Sequence, residues 1–327
     1  MGPVSNLDKQ RFPVLDGWRG ISILLVLAGH TLPIGPKRWE LNETFAVSGM
    51  PLFFVLSGFL IARFLIERPN PTAFLIRRLC RIVPLAWLVS VVVLVASSAT
   101  TTQIFNHIAF VANLPPIQLL PQTGHLWSLC VEMQFYLLAA ALVVCLGKRG
   151  LFFMPLIGIG ITAYRIYEGV PLSIVTYLRA DEIFAGVCLA LLHHEYGHKT
   201  IKFNSYFLFI TVLTALLFSC HPQLPNVNYA RPYLAAALIG ISLFANLPFV
   251  VSQLQTKLLR YVAEISFALY VIHTPLLFTW LSSGETLTKY LKRPLYYGVL
   301  WLLAHLSTRY FESYWISKGR QWSLRMN

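Results

Sequence analysis

Residues 13–34 read PVLDGWRGISILLVLAGHTLPI. A helix through this run is long enough to cross a bilayer core about 30 Å thick, which takes roughly 20 residues. The run nonetheless carries Asp16, Arg19 and His30. An ionisable side chain inside such a span costs a few kcal/mol on insertion scales, so each one needs a partner, a water-filled cavity or a function. Arg19 and His30 stand 11 positions apart, about 20° beyond three helical turns, and therefore share a face with roughly 16 Å between them along the axis. One connected cavity can touch both, and Asp16, three residues before Arg19, can hold the guanidinium. The inert reading stays open here: His30 satisfies a backbone carbonyl and Arg19 anchors the helix end.

The rest of the chain has the same character. It is 56% hydrophobic and 12% charged over 327 residues, with a mean hydropathy of +0.62, against about 25% charged for an ordinary soluble domain. The fold expected is all-α: a polytopic membrane protein of about ten transmembrane helices in one domain, 1–327. The spans read as 15–34, 46–66, 82–99, 126–146, 151–168, 176–194, 204–221, 232–252, 261–282 and 294–316. Between them, 100–125 is broken by Asn106, Asn113, Pro115, Pro116, Pro121 and Gly124, and reads as a surface helix plus a re-entrant loop.

The net charge of +13 does not point to nucleic acid, because the basic residues punctuate the ends of apolar runs and form no aromatic-interleaved patch. With the N-terminus inside, 17 positive residues, among them Lys9, Arg11, Lys199, Lys202 and Arg320, fall on one side and eight on the other. That asymmetry predicts a multi-pass protein with both termini in the cytoplasm. Anionic lipids suit the same residues. Five scattered cysteines form no CxxC pair and read as buried thiols rather than a disulfide framework or metal site. The first apolar run has no small-residue cleavage pattern, so it is expected to remain as the first span.

Three further stretches carry chemistry. In Gly124-His125-Leu126-Trp127-Ser128-Leu129-Cys130-Val131-Glu132-Met133-Gln134-Phe135-Tyr136, the spacing places His125, Ser128, Glu132 and Tyr136 on one stripe of the fourth span. Such a stripe either glues helices together or walls a polar pocket. In Phe74-Leu75-Ile76-Arg77-Arg78-Leu79-Cys80-Arg81-Ile82-Val83-Pro84, Arg78 and Arg81 are spaced i, i+3 with Arg77 adjacent, a set suited to clamping phosphates or to anchoring on lipid. In the tenth span His305, Arg309 and Glu312 recur at 4 and 3, and Arg309 with Glu312 reads as an intramembrane ion pair. Gly58, within Ser57-Gly58-Phe59, leaves room for a second backbone.

In their order along the chain, these stretches resemble the membrane acyltransferase 3 family of integral-membrane O-acyltransferases. The resemblance rests on Leu15-Asp16-Gly17-Trp18-Arg19-Gly20 through His30, Gly49 to Ile61, Arg78-x-x-Arg81 with Pro84, and His125 to Tyr136. It continues through Ile265-Ser266-Phe267-Ala268-Leu269-Tyr270 with His273 and Pro275, and ends near Glu312. Met50-Pro51 stands where the family has a Val-Asp type pair, so any carboxylate role is missing there. The chain is expected to be a stand-alone form, without the fused hydrolase-like domain of some members.

The resemblance implies transfer of an acyl group, in the first place acetyl, from cytoplasmic acyl-CoA to a hydroxyl beyond the membrane. The acceptor implied is a cell-surface or lipid-linked saccharide, and the location the cell inner membrane. Arg77, Arg78 and Arg81 would hold the donor's phosphates, Arg19 would lie along its arm, and His30 would act as general base. Glu132 would orient His30 or bind the acceptor, with His125, Trp127, Ser128 and Tyr136 on the substrate side. Acyl-CoA is then a co-substrate, and neither a tightly bound cofactor nor a metal is expected. The competing reading is a transporter or flippase for a polar solute, which should show matching broken helices in two repeats; the sequence has no such pairing. The oligomeric state is left open.

Overall fold

A computed structural model describes residues 12–197 and 205–326. Lys9, Arg11, Lys199, Lys202 and the first residue of the 204–221 span lie outside the described residues. Among the described residues the regular structure is all helical, as expected.

The helices are α1 (Pro13–Thr31), α2 (Leu41–Glu67), α3 (Pro71–Ala96), α4 (Thr101–Ile108), α5 (Trp127–Leu146), α6 (Met154–Tyr167) and α7 (Asp181–Tyr196). They continue with α8 (Ser205–Ser219), α9 (Arg231–Phe244), α10 (Pro248–Leu254), α11 (Lys257–Leu277), α12 (Thr286–Leu291), α13 (Arg293–Leu306) and α14 (Ser313–Leu324). Local sequence sets several starts. Pro13 and Pro71 occupy first-turn positions, where a missing N–H costs nothing. Asn70 accepts from the Ala73 N–H, and Thr100 with Gln103 forms a capping box that starts α4. Pro248 splits the predicted 232–252 span into α9 and α10, since its ring disfavours helix in the residue before it.

Two boundaries move with functional effect. Arg77, Arg78 and Arg81 lie within one continuous α3, not in a segment preceding a span. Residues 307–312 form a π-helical turn joining α13 to α14. The 100–125 stretch is α4, then irregular chain, then a short 3₁₀ turn at Pro121–Leu126, which matches its broken pattern.

Among the described residues three helical stretches, 37–67, 71–96 and 121–167, are long and apolar enough to cross a membrane. The outside of the bundle is apolar as well: Val95 and Val144 are each 70% exposed. A water-soluble surface does not carry so many large bare hydrophobics, so this is the surface of a membrane protein.

Helix α1 packs chiefly against α2 and α11. Helices α2 and α7 cross with almost no separation. A β-carbon on Gly58 would sit 2.0 Å from the Ile183 carbonyl oxygen, and one on Gly186 would sit 2.1 Å from that of Val55. No side chain fits at either point. The room anticipated at Gly58 is thus filled by the backbone of α7, and this seam fixes the wall on which the candidate site is built.

Both ends of the described chain lie by the α2–α3 turn. The Arg63 guanidinium stands 4.1 Å over the Phe12 ring, and Asn70 donates to the Met326 carbonyl.

Candidate active site

Two cavities of about 480 Å³ each lie at opposite ends of Arg19 and His30. His30, His125, Trp127, Arg179, Tyr270 and Thr274 line the first, together with Met50 and Val26. Asp16, Arg19, Arg81, Glu264, Glu312 and Arg320 line the second. A third void of about 20 Å³ touches both sets: it shares Val26, Met50 and Tyr270 with the histidine cavity, and Arg19 with the basic cavity. Arg19 and His30 line separate cavities, with the small void between them sharing residues with each, in place of the one connected cavity that the spacing allowed.

The histidine cavity is organised by its hydrogen bonds. His273 Nδ1 lies 2.6 Å from the Tyr270 carbonyl oxygen, and a carbonyl only accepts, so that nitrogen carries the proton. In the neutral ring His273 Nε2 is then an acceptor. His30 Nδ1 lies 3.0 Å from it and donates, leaving His30 Nε2 with a free lone pair. The two rings stack 5.2 Å apart and nearly parallel. His273 is wholly buried, whereas His30 is accessible to solvent. A proton-accepting nitrogen thus meets the cavity while a buried neighbour fixes its tautomer.

His125 donates from Nε2 to the Val271 carbonyl, and its Nδ1 has no hydrogen-bond partner. Tyr270 donates its hydroxyl to the His125 carbonyl, so Ser128 must donate to Tyr270 across their 2.7 Å contact. Both hydroxyl protons are spent internally. Thr274, which reaches His273 Nε2 at 3.0 Å, remains a hydroxyl on the cavity wall.

The predicted stripe on α5 therefore divides. His125 and Trp127 line the histidine cavity. Ser128 is buried behind it against Tyr270. Glu132 and Tyr136 belong to a separate knot: Tyr136 donates to Glu132 at 2.5 Å, and Ser57 donates to the same carboxylate oxygen. The ring bonded to His30 is His273, and Glu132 is taken up by Tyr136 and Ser57.

The arginines of α3 divide too. Arg81 lines the basic cavity. Arg78 sits over the rings of Phe74 and Tyr136 and acts electrostatically on Arg19 and Arg81. Arg77 turns to α14, donating to Ser323 at 2.7 Å.

The expected Arg309–Glu312 pair is overturned. Ser307 and Thr308 donate to Glu312, which faces the basic cavity; among the described residues no salt bridge joins it to Arg309. The wider π turn rotates the two away from the face they would share in an α-helix. His305 bonds instead to Tyr261.

Two participants were not legible as such. His273 stood in the sequence as part of the resemblance, without a role, and nothing there paired it with His30, 243 positions away. Arg320 was counted only among the charges at helix ends, yet it lines the basic cavity.

Comparison with known proteins follows this geometry. Peptidoglycan O-acetyltransferase OatA of Listeria monocytogenes is 24% identical over 370 residues, covering 96% of this chain and 57% of its own length. A putative O-acetyltransferase of Staphylococcus aureus strain COL is 25% identical over 326 residues, covering 82% of this chain and 51% of its own. The chain thus spans about half the length of these relatives. No solved structure matches it. A family model described as an acyltransferase domain matches residues 12–316, and on that coverage the chain belongs to the acyltransferase 3 family.

Proposed function

We propose that this protein is an O-acyltransferase that carries an acetyl group from acyl-CoA on the cytoplasmic side to a hydroxyl of a saccharide on the far side of the membrane. In this reading the chain crosses the inner membrane about ten times with both termini in the cytoplasm. The placement of both described ends by the α2–α3 turn supports termini on a common side. One observation carries the proposal: the small void beside Arg19 shares lining residues with both the basic cavity and the cavity that His30 lines.

Arg81 and Arg320 would meet the donor's phosphates, for which planar guanidiniums are suited, while Arg78, packed over Phe74 and Tyr136, would add its charge from outside the cavity, and Arg19 would lie beside the pantetheine arm at the constriction. The acceptor hydroxyl gives its proton to His30 Nε2 as its oxygen attacks the thioester carbonyl. The tetrahedral intermediate then collapses to the ester, expelling the thiolate, which takes the proton back from His30. Charge on the imidazolium is shared with His273 through the bond at Nδ1. Glu132, held by Tyr136 and Ser57, would stand apart from the reacting atoms.

The test is transfer of label from acetyl-CoA to saccharide by the protein in sealed vesicles, with donor on one side and acceptor on the other. Labelled O-acetyl saccharide forming only when the two are so placed is the expected result. Vesicles that move the saccharide without acetylating it would establish a transporter.

A further inference from the structure

We infer that the histidine cavity accepts a saccharide bearing a negative charge, a carboxylate or phosphate held by Arg179 while the hydroxyl to be acylated meets His30. The role of the hydroxyl rests on the acyl-transfer reading; the anion site rests on the wall of the cavity alone.

Arg179 is 1% exposed and forms part of the wall of the chamber that holds His30 and His125. Its guanidinium lies 5.1 Å over the ring of Trp127, on the same wall. The charged groups acting most strongly on it are Glu182, Arg231, Arg165 and Asp181. Their pairing is uneven. Arg165 holds Asp181 at 2.5 Å, and Arg231 holds Glu182 at 2.7 Å. Arg179 reaches only the second oxygen of Glu182, at 3.4 Å, and neither its Nε nor its Nη1 makes a hydrogen bond. Three guanidiniums thus face two carboxylates, and the positive charge left over sits on the one that walls the cavity. A buried cation without full compensation is costly, and an anion brought in by the ligand relieves it. The guanidinium fork matches carboxylate and phosphate in two-point fashion. A transient oxyanion would relieve the charge only at the transition state, whereas the surplus is present at rest.

The experiment is equilibrium binding of four probes to the purified full chain in lipid nanodiscs: a uronic acid oligosaccharide, its neutral counterpart, its phosphorylated counterpart and inorganic phosphate. The charged sugars should bind about tenfold or more tightly than the neutral one, and the better of the two names the anion. Arg179→Gln should remove that preference without weakening the neutral sugar, and Arg179→Lys should restore part of it. Gly124→Asp tests the same point without touching the cluster, because a β-carbon there meets nothing within 4 Å. Its carboxylate, on the same cavity wall, should repel the charged probes alone. Equal binding of charged and neutral sugars, or loss of both together in Arg179→Gln, would overturn the inference; so would inorganic phosphate binding as tightly as the charged sugars. Arg179-dependent binding without acetyl transfer would sink the enzymatic reading and leave the anion site standing. Transfer to neutral and charged acceptors alike, with kcat lowered equally by Arg179→Gln, would do the reverse.

Discussion

The chain buries two groups of ionisable side chains, and they differ in what surrounds them. Around the start of α7, Arg165 with Asp181 and Arg231 with Glu182 are buried as ion pairs, with Thr162, Asn228 and backbone carbonyls adding further bonds. Along α1, Arg19 and His30 face voids, and His30 has one nitrogen tied and the other free. Enclosed pairs hold helices in register. Side chains on a void are held by the protein on one side only and present the other to something that enters.

The largest effect should come from the open group. His30→Ala is expected to cut acetyl transfer by about 10²–10⁴-fold, the usual scale of a general base, with unchanged yield and melting temperature. His273→Asn, which removes the ring that sets the tautomer, should cost roughly tenfold to a hundredfold and alter the pH profile of kcat. Equal activity of His30→Ala and wild type, measured by labelled product, erases the contrast.

Next comes the enclosed group. Asp181→Asn strands Arg165 and should lower unfolding stability by about 3–5 kcal/mol, read as a fall in melting temperature, with activity per folded molecule preserved. A normal melting temperature with lost activity would move that cluster into the open class.

The smallest effect sharpens the comparison within α3. Arg81→Ala should raise KM for acyl-CoA about tenfold, as expected for a charge-assisted contact worth about 1.5 kcal/mol, while Arg77→Ala, tied to Ser323, should leave it unchanged. Equal shifts in the two variants would point to a general lipid anchor.

Local periodicity made much of α1 legible. Eleven residues of an unbroken helix fix the relative direction of Arg19 and His30 whatever packs around them, and the structure sets them in separate cavities on either side of a small void. The partner of His30 was not legible, because the meeting of α1 with α11 is a tertiary event and His273 shares no local pattern with it. The same limit explains Glu132, whose stripe predicted a shared face but not that the face is divided between a cavity and a closed knot. At 307–312 the failure has another cause: the π turn breaks the 3.6-residue period on which the Arg309–Glu312 pairing depended.

The narrow middle void, about 20 Å³, has a consequence for energy conservation. It is about large enough for a single water molecule, too small for the unbroken file of solvent that would let protons leak down the electrochemical gradient. In the proposed reaction a flexible thioester arm would have to push Met50 and Phe53 aside to thread it, and would plug the opening it makes. On that reading a small group would be handed through the barrier while the membrane stays electrically tight.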